Sequence, residues 1–396
     1  MTHRFISRRV HDACTFFAGL LLILTPAITQ AIAPRVEATA AALRVQANPP
    51  SLAAASAAPQ VRPAALGGLL GGLGGALGDI GGALDGALGD LGGALSGTLG
   101  EFTGNLTGLL LQVSGEITPT PGTETFSGTL AWDADTRRYV GVRPIGAPAG
   151  APVLLLLHPR GLAPGRMVNL TLAGRLAADY GVWVYVPEAN GNSWADDPLA
   201  GGDDDVGFLN ALMARELSAN ALDAARVYVA GYSNGGFMAE RLACERPALL
   251  AGIALVATTL RDTLASRCGG PQRLPVLMFN GTSDLVTFYA GFPTLRGAVA
   301  TAAFWAEKNQ CAENDISTVA LPDLVRNDNA TVTVTRYNRC VDSTVALYTV
   351  NNGGHTWPGT QYASYTLALG ETTLDIDATL ELWRQLSAYS RPVTAH

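Results

Sequence analysis

Short apolar runs alternate with longer, helix-like segments from about residue 116 to the end of the chain. Most of these runs are continuous, which is typical of strands covered on both faces, as in a parallel sheet. The predicted strands are Val153–Leu157, Val182–Val186, Val227–Ala230, Gly252–Val256, Val276–Phe279 and Val345–Val350. The predicted helices are Leu170–Tyr180, Asp205–Leu217, Gly236–Glu245, Ala298–Lys308 and Asp377–Tyr389.

Two further strand-like runs, Thr125–Ala131 and Arg138–Val142, precede this alternating part and are expected to form an antiparallel edge pair. Strand and helix then alternate over the rest of residues 116–396. The pattern predicts one α/β domain with a mostly parallel, doubly wound sheet and an antiparallel N-terminal edge.

The first 31 residues have the pattern of an export signal. Arg4, Arg8 and Arg9 form a positive start, and the apolar run Ala13–Ala27 is short for a membrane span. Small residues follow, and we expect cleavage after Ala31. The protein is therefore predicted to be secreted, to the extracellular space or the periplasm; an uncleaved N-terminal anchor is the alternative.

Residues 32–65 are rich in Ala and Pro and are predicted to be a linker. Residues 66–115 contain an eleven-residue repeat whose period matches a helix with a straight apolar stripe. Its high glycine content opposes an isolated helix, since each glycine costs roughly 1 kcal/mol relative to alanine. A flexible spacer is one interpretation; contact of residues 66–110 with an apolar surface is the other. The repeat is marked by Leu66, Leu77, Leu88, Leu99 and Leu110.

A net charge of −7 offers no basic field that would attract nucleic acid. We therefore expect no nucleic-acid partner.

Four cysteines remain after the signal, an even number in an oxidising compartment, and predict two disulfides. Three pairings are possible. The pairing Cys244–Cys268 with Cys311–Cys340 closes two local loops without crossing. No cysteine pair has metal-ligand spacing and no histidine lies beside one, so no metal site is predicted.

The stretch Gly231-Tyr-Ser-Asn-Gly235 directly follows a predicted strand and precedes a predicted helix. That strand–turn–helix context is what a G-x-S-x-G nucleophile turn requires. The pentapeptide alone is a weak signal in a glycine-rich chain, where Ser233 could be only a small residue in a tight turn. Its placement predicts Ser233 as a nucleophile, with the backbone N–H of Asn234 as one oxyanion donor.

A serine nucleophile needs a base, normally histidine. Beyond the signal the chain has His158, His355 and His396. If the chain order is serine, acid, histidine, then His158 is excluded and His396 lies at the terminus. His355 is therefore the predicted base, in a glycine-rich loop after the last predicted strand.

The acid that orients the base should lie between Ser233 and His355, in a loop after a strand. Asp284 meets this condition, because it follows the strand Val276–Phe279. Its competitors follow no clear strand so closely: they are Asp262, Asp315 and Asp323.

The second oxyanion donor is expected in the loop after the strand Val153–Leu157. Pro159 has no N–H, so the candidate is the backbone of Arg160, with Gly161 next. His158 is expected to pack beneath this loop as a structural residue.

Aromatic residues near the strand ends are candidates for the wall of a substrate pocket. They are Trp194, Trp357, Phe288 and Tyr289. Packing in the core is the alternative for each of them.

The chain from about Phe126 to Tyr389 resembles the secreted polyhydroxybutyrate depolymerase and feruloyl esterase-like branch of the α/β-hydrolases. The matching motifs are Asp204-Asp-Val-Gly-Phe208, Arg226-Val-Tyr-Val-Ala-Gly-Tyr-Ser-Asn-Gly-Gly236, Leu242-Ala-Cys-Glu245, Gly281-Thr-Ser-Asp284, Trp305 shortly before Cys311, and Gly353-Gly-His-Thr-Trp-Pro-Gly359.

This resemblance implies an α/β-hydrolase fold and a serine esterase that works through an acyl-enzyme without a cofactor. It implies Ser233 as nucleophile, Asp284 as acid and His355 as base, and it supports the two local disulfides. The implied substrate is an ester, either a polyester or a plant cell-wall ester. The chain departs from the family at two places: the family commonly shows His-Gly where this chain has His158-Pro159, and often shows His-Gly before the acid where this chain has Asn280-Gly281.

Two other functions fit parts of the pattern. A serine peptidase of the prolyl-oligopeptidase type has the same order of triad residues. A non-catalytic surface or adhesion protein built around the glycine- and leucine-rich repeat is the other alternative.

Overall fold

The structure, a computed structural model, describes residues 115–360 and 369–391. The predicted signal, the linker and residues 66–114 of the repeat lie outside the described residues. The division of the chain into these segments therefore stays a prediction.

A ten-stranded sheet forms the centre of the described domain, with the strand order β1-β2-β4-β3-β5-β6-β7-β12-β11-β10. The strands of this sheet are β1 Thr123–Trp132, β2 Asp135–Pro144, β3 Val153–Leu157, β4 Trp183–Pro187, β5 Val227–Tyr232, β6 Gly252–Val256, β7 Val276–Gly281, β10 Ile316–Ala320, β11 Thr331–Tyr337 and β12 Val345–Asn351. A separate two-stranded hairpin consists of β8 Gly291–Phe292 and β9 Leu295–Arg296.

The middle of the sheet is parallel, from β4 through β3, β5, β6 and β7 to β12. The β1–β2 pair is antiparallel and joins β4 antiparallel, which confirms the predicted N-terminal edge. The opposite edge, where β11 and β10 add to β12 antiparallel, was missed. Its signal was present in β11, where polar and apolar residues alternate, as is typical of a half-covered antiparallel strand.

Helices cover both faces of the sheet. They are α1 Pro164–Thr171, α2 Gly174–Tyr180, α3 Asp205–Ala219, α4 Asn234–Glu245, α5 Asp262–Ala265, α6 Ala298–Lys308 and α7 Ala378–Leu386. Helices α3, α4 and α6 pack on one face and α1, α2 and α7 on the other. Alternate β3 side chains divide between the two cores, with Leu155 in the first and Leu154 in the second. This explains the continuous apolar runs and confirms the predicted α/β fold class.

The helix predicted over Leu170–Tyr180 is wrong in its bounds. Two helices occupy this region, because Leu172 adopts a left-handed conformation (φ 52°) and ends α1. At the start of α2, a Cβ on Gly174 would lie 2.2 Å from the Thr120 hydroxyl. The absence of a side chain at Gly174 therefore lets Thr120, in the segment before β1, lie directly against the backbone of α2.

Both local disulfides are present. Cys244, in the last turn of α4, bonds to Cys268, and Cys311, after α6, bonds to Cys340, after β11. The pairing predicted from the local, uncrossed loops is confirmed. In the described residues, no helix has the length and apolar character needed to span a membrane.

Candidate active site

Three side chains predicted to act together follow three parallel strands. Ser233 follows β5, Asp284 lies three residues after β7, and His355 lies four residues after β12. These strands share one direction, so their carboxyl ends lie at one edge of the sheet. The topology thus brings residues separated by more than a hundred positions to the same edge.

Ser233 occupies a strained turn between β5 and α4. Its backbone has φ 54° and ψ −121°, a conformation that costs of order 1–3 kcal/mol for a residue with a side chain. Gly231 and Gly235 permit this turn, because a Cβ on Gly231 would lie 2.2 Å from the Gly235 carbonyl oxygen. Ser233 is only half-buried, while Tyr232 and Asn234 on either side are buried.

Hydrogen bonds hold the strained backbone of Ser233. Its N–H donates to the Val256 carbonyl (2.9 Å), and its carbonyl accepts from the Thr258 hydroxyl (2.6 Å). The Asn280 amide donates in turn to the Thr258 carbonyl (2.8 Å). Asn280, one of the two departures from the family motif, therefore supports the loop that supports Ser233.

The His355 ring and the Asp284 carboxylate form a buried pair, with 2.7 Å between Nδ1 and Oδ2. The other carboxylate oxygen of Asp284 accepts from the N–H groups of Val286 and Thr287, at 2.8 Å each. An ionised carboxylate only accepts hydrogen bonds, so Nδ1 of His355 carries the proton. This tautomer leaves Nε2 of His355 unprotonated and available as a base.

The loops that carry Asp284 and His355 touch along their backbones. A Cβ on Gly281 would lie 2.2 Å from the Gly353 carbonyl oxygen, and that same oxygen accepts a hydrogen bond from the Ser283 N–H (2.9 Å). Only glycine at 281 permits this contact. The glycine at 281 is thus explained by the close approach of the two loops.

Tyr232 connects the serine turn to the histidine loop. Its hydroxyl donates to the backbone carbonyl of His355 at 2.5 Å, and the two rings lie 5.4 Å apart, centroid to centroid. The His355 N–H donates to the Leu369 carbonyl (2.6 Å). Through these contacts Tyr232 joins the turn of Ser233 to the loop of His355. Sequence reasoning missed this role of Tyr232.

Two backbone N–H groups beside Ser233 were predicted as oxyanion donors. Asn234 is the first residue of α4, so its N–H has no acceptor within the helix. The Gly161 N–H donates to the Asn192 carbonyl at 2.8 Å, whereas the exposed Arg160 donates its N–H to no acceptor in the described part of the chain. Of the two predicted candidates for the second donor, Arg160 has its N–H free.

The two tryptophans predicted to line a pocket are buried in the cores. The Trp194 indole N–H donates to the His158 carbonyl (3.0 Å), and the Trp357 indole N–H donates to the Thr379 hydroxyl (3.0 Å). Both rings therefore have structural partners, and a pocket role for either stays a prediction.

An apolar surface begins directly after Asp284. Four large side chains are exposed there: Leu285 (77%), Val286 (53%), Phe288 (38%) and Phe292 (45%). The two phenylalanine rings pack edge to face at 4.4 Å. We call these four residues the apolar rim. Of the rim, only Phe288 was predicted; the signal for the others is the absence of any charged residue from 285 to 295.

Over the same described ranges, no group of three or more His, Cys, Asp or Glu side chains is placed to hold a metal ion.

No family model matches the sequence. It is 30% identical over 262 residues to "Putative esterase NocK" of Nocardia uniformis subsp. tsuyamanensis, covering 60% of this chain and 75% of that protein. It is 26% identical over 221 residues to "Feruloyl esterase B" of Piromyces equi, covering 52% of this chain and 39% of that protein. Among solved structures, an acetyl xylan esterase from Aspergillus awamori matches with 14% identity and a TM-score of 0.48, over 58% of this chain and 94% of that chain.

Proposed function

The chain belongs to the esterase family of α/β-hydrolases and is a carboxylic ester hydrolase, and on this premise we propose that it works through a serine acyl-enzyme. Ser233 is the nucleophile, His355 the general base and Asp284 the acid that orients it. The observation that carries the proposal is the buried contact of 2.7 Å between His355 Nδ1 and Asp284 Oδ2, beside the strained turn of Ser233.

In the first half-reaction, the Ser233 oxygen attacks the ester carbonyl carbon as its proton passes to Nε2 of His355. The charged tetrahedral oxygen is held by the N–H groups of Asn234 and Arg160. The bond between the carbonyl carbon and the leaving oxygen then breaks, and His355 gives its proton to that oxygen. The alcohol departs and the acyl group stays on Ser233.

In the second half-reaction, a water molecule gives a proton to His355 as its oxygen attacks the acyl carbon. The bond from that carbon to the Ser233 oxygen breaks, and His355 returns the proton to the serine. A carboxylic acid is released and the free enzyme is restored. Asp284 stays ionised throughout and stabilises the imidazolium form of His355.

The apolar rim supports an apolar or aromatic ester as the substrate. Its four side chains begin one residue after Asp284, and the segment 285–295 carries no charge. A charged group on the substrate would lose its hydration there without gaining a partner. We place polyhydroxybutyrate-like polyesters and aromatic plant cell-wall esters in this class, the second in keeping with the feruloyl esterase name of a relative.

Secretion is part of the proposal. The N-terminal 31 residues have the pattern of an export signal, and the described domain holds two disulfides, which persist in oxidising compartments.

The test compares the wild type with Ser233→Ala on p-nitrophenyl butyrate and by labelling with a fluorophosphonate probe. We expect labelling of the wild type alone and loss of at least roughly 10³-fold in kcat for the variant. Undiminished hydrolysis by Ser233→Ala would rule out the acyl-enzyme. Assays on 3-hydroxybutyrate oligomers and methyl ferulate then separate the two proposed substrate classes.

A further inference from the structure

His158 lies under the loop that carries the second oxyanion donor, and both of its ring nitrogens are engaged. The Ala189 N–H donates to Nε2 (3.1 Å), and Nδ1 lies 2.8 Å from the Pro159 carbonyl oxygen. Since Nε2 accepts from a backbone N–H, it carries no proton. Nδ1 therefore carries the proton and donates it to the Pro159 carbonyl.

That carbonyl belongs to the peptide group that contains the Arg160 N–H. In a trans peptide the C=O and N–H point in opposite directions in one plane. The hydrogen bond from His158 therefore sets the direction of the Arg160 N–H as well. The ring is fully buried, and burial lowers the pKa of His158, which keeps the ring neutral with a single N–H.

A second set of contacts holds this arrangement from the side of Ser233. The Trp194 indole N–H donates to the His158 carbonyl (3.0 Å). The Asn234 side chain pairs with the Trp194 backbone in both directions, accepting from its N–H (2.8 Å) and donating to its carbonyl (3.2 Å). Asn234 also supplies the first oxyanion donor from its backbone. The two donors are thus linked through Asn234, Trp194 and His158.

A buried ion pair also holds the backbone next to Trp194. The Ala195 N–H donates to Asp205 (2.8 Å), whose other oxygen contacts Arg137 at 2.6 Å. Both side chains of the pair are almost completely buried. The backbone here is therefore held at two adjacent residues, Trp194 by the Asn234 side chain and Ala195 by Asp205.

We propose that His158 is a positioning residue for ester hydrolysis, which aims the Arg160 N–H at the tetrahedral oxygen, and that Trp194 holds His158 in place. This inference rests on the proposed serine mechanism. The sequence predicted a purely structural role for His158. The hydrogen bond from its Nδ1 instead acts on the peptide group that contains the Arg160 N–H, the proposed oxyanion donor.

The test uses two substitutions of His158 that keep different halves of the ring. The amide nitrogen of asparagine lies close to the place of Nδ1, so His158→Asn can still donate to the Pro159 carbonyl. The amide end of glutamine lies close to the place of Nε2, so His158→Gln can accept from Ala189 but loses the donor to Pro159. Both variants lose the ring that packs 5.2 Å from Trp194.

We expect His158→Gln to lose roughly 10- to 100-fold in kcat with KM within about twofold. The hydrogen bond from the Arg160 N–H forms with the charged oxygen of the transition state, so its loss slows the reaction without weakening substrate binding. His158→Asn should stay within about fivefold of the wild type. An alkyl trifluoromethyl ketone, which places an oxyanion on the Ser233 adduct, should bind His158→Gln more weakly by the same factor as kcat/KM falls. A merely structural role would impair both variants alike, and equal losses, or an unchanged inhibition constant for His158→Gln, would overturn the proposal.

Trp194→Phe provides the independent variant should both changes at 158 prevent folding. Its control is Trp183→Phe, because the Trp183 indole N–H is buried and has no partner within the described residues. We expect a roughly tenfold fall in kcat for Trp194→Phe alone; equal kcat values in the two variants would contradict the proposal. Ser233→Ala, assayed beside them, separates the outcomes: if it stays active, the serine mechanism fails, and if it is inactive, only the role of His158 is in question.

Discussion

The Tyr232 hydroxyl donates a hydrogen bond of 2.5 Å to the backbone carbonyl of His355. Tyr232 is the last residue of β5 and directly precedes Ser233, so this bond ties the histidine loop to the serine turn. The loop after β12 is therefore held close to Ser233 by a neighbour of the serine.

Removal of the Tyr232 hydroxyl should allow His355 to move relative to Ser233. We expect Tyr232→Phe to lower kcat by roughly tenfold, because small misplacements of reacting groups are costly. The matched control is Tyr228→Phe on the same strand. The Tyr228 hydroxyl donates to the Tyr389 carbonyl (2.6 Å), which belongs to neither the Ser233 turn nor the His355 loop. Each variant should lose about 1 kcal/mol of stability, measured by urea denaturation, but only Tyr232→Phe should lose activity. Equal kcat values would show that the bond is only structural.

Asp284→Asn keeps the shape of the acid but removes its charge. We expect kcat on p-nitrophenyl butyrate to fall by about 10⁴-fold with little change in KM, since the amide favours the wrong tautomer of His355. Asp262→Asn is the control, because Asp262 is a competing candidate from the sequence and its carboxylate pairs with Arg296 on the surface (3.1 Å). An active Asp284→Asn enzyme would exclude Asp284 as the acid.

Gly235→Ala tests the close packing behind the serine turn. An added Cβ would lie 2.2 Å from the Leu157 carbonyl oxygen and 2.6 Å from that of His158, and both are backbone atoms that must shift. We expect a loss of about 1–3 kcal/mol in stability together with reduced kcat. Gly269→Ala has open space around its Cβ and should change neither quantity. Denaturation midpoints and initial rates of the two variants check this.

Glu240 predicts a pH dependence of stability. It is fully buried in α4, with one carboxyl oxygen accepting from the Trp305 indole (3.0 Å) and the other without a partner in the described residues. Burial raises its pKa to about 8, and the hydrogen bond from Trp305 and then the charge of Arg261 partly offset this by favouring the charged form. Between the ordinary pKa of about 4.5 and about 8, the folded state binds a proton that the unfolded state has released.

Stability contributed by this group is therefore present below pH 4.5 and is lost as the pH rises toward 8. The slope approaches about 1.4 kcal/mol per pH unit. The glutamine of Glu240→Gln does not titrate in either the folded or the unfolded state. The stability of the variant relative to the wild type should therefore increase steadily from pH 5 to pH 8. Urea denaturation of both proteins at pH 5, 6, 7 and 8 measures the difference. A constant difference across the range would contradict the raised pKa.

The disulfides should contribute comparably to stability, because they close loops of similar size, with separations of 24 and 29 residues. Each loop is worth about 3 kcal/mol by the chain-entropy estimate. We expect the double serine variants of Cys244 with Cys268 and of Cys311 with Cys340 to unfold at lower temperature, while the kcat of the folded fraction is retained. Thermal melts with and without reductant measure the effect. An unchanged melt after confirmed reduction would refute it.

Much of the domain could be predicted from local pattern. Continuous apolar runs identify strands buried on both faces, and β5 and β7 were both recognised in this way. The edge strands β10 and β11 were missed because β10 is exposed along its whole length and β11 is buried on one face only, so neither gives a continuous apolar run. The break at Leu172 was missed because a left-handed leucine has no local signature in the sequence.

The sequence by itself determined which residue types are available for chemistry and where each lies relative to a strand end. With few histidines, the order serine, acid, histidine leaves only His355 for Ser233, and the strand before Asp284 favours it over other aspartates. These conclusions need only local pattern and chain order, because parallel strands end at a common edge.

Only the tertiary structure decided how these residues are held. The hydrogen bonds that join Tyr232 to His355, Ala189 to Nε2 of His158 and Trp194 to Asn234 span between 31 and 123 positions, and neither composition nor periodicity encodes such contacts. The same holds for the Gly161 N–H, which donates to Asn192, and for the Arg160 N–H, which has no acceptor among residues 115–360 and 369–391. Hydrogen-bond partners depend on distance and direction in the folded chain, and these exist only once the strand ends and their loops have packed together.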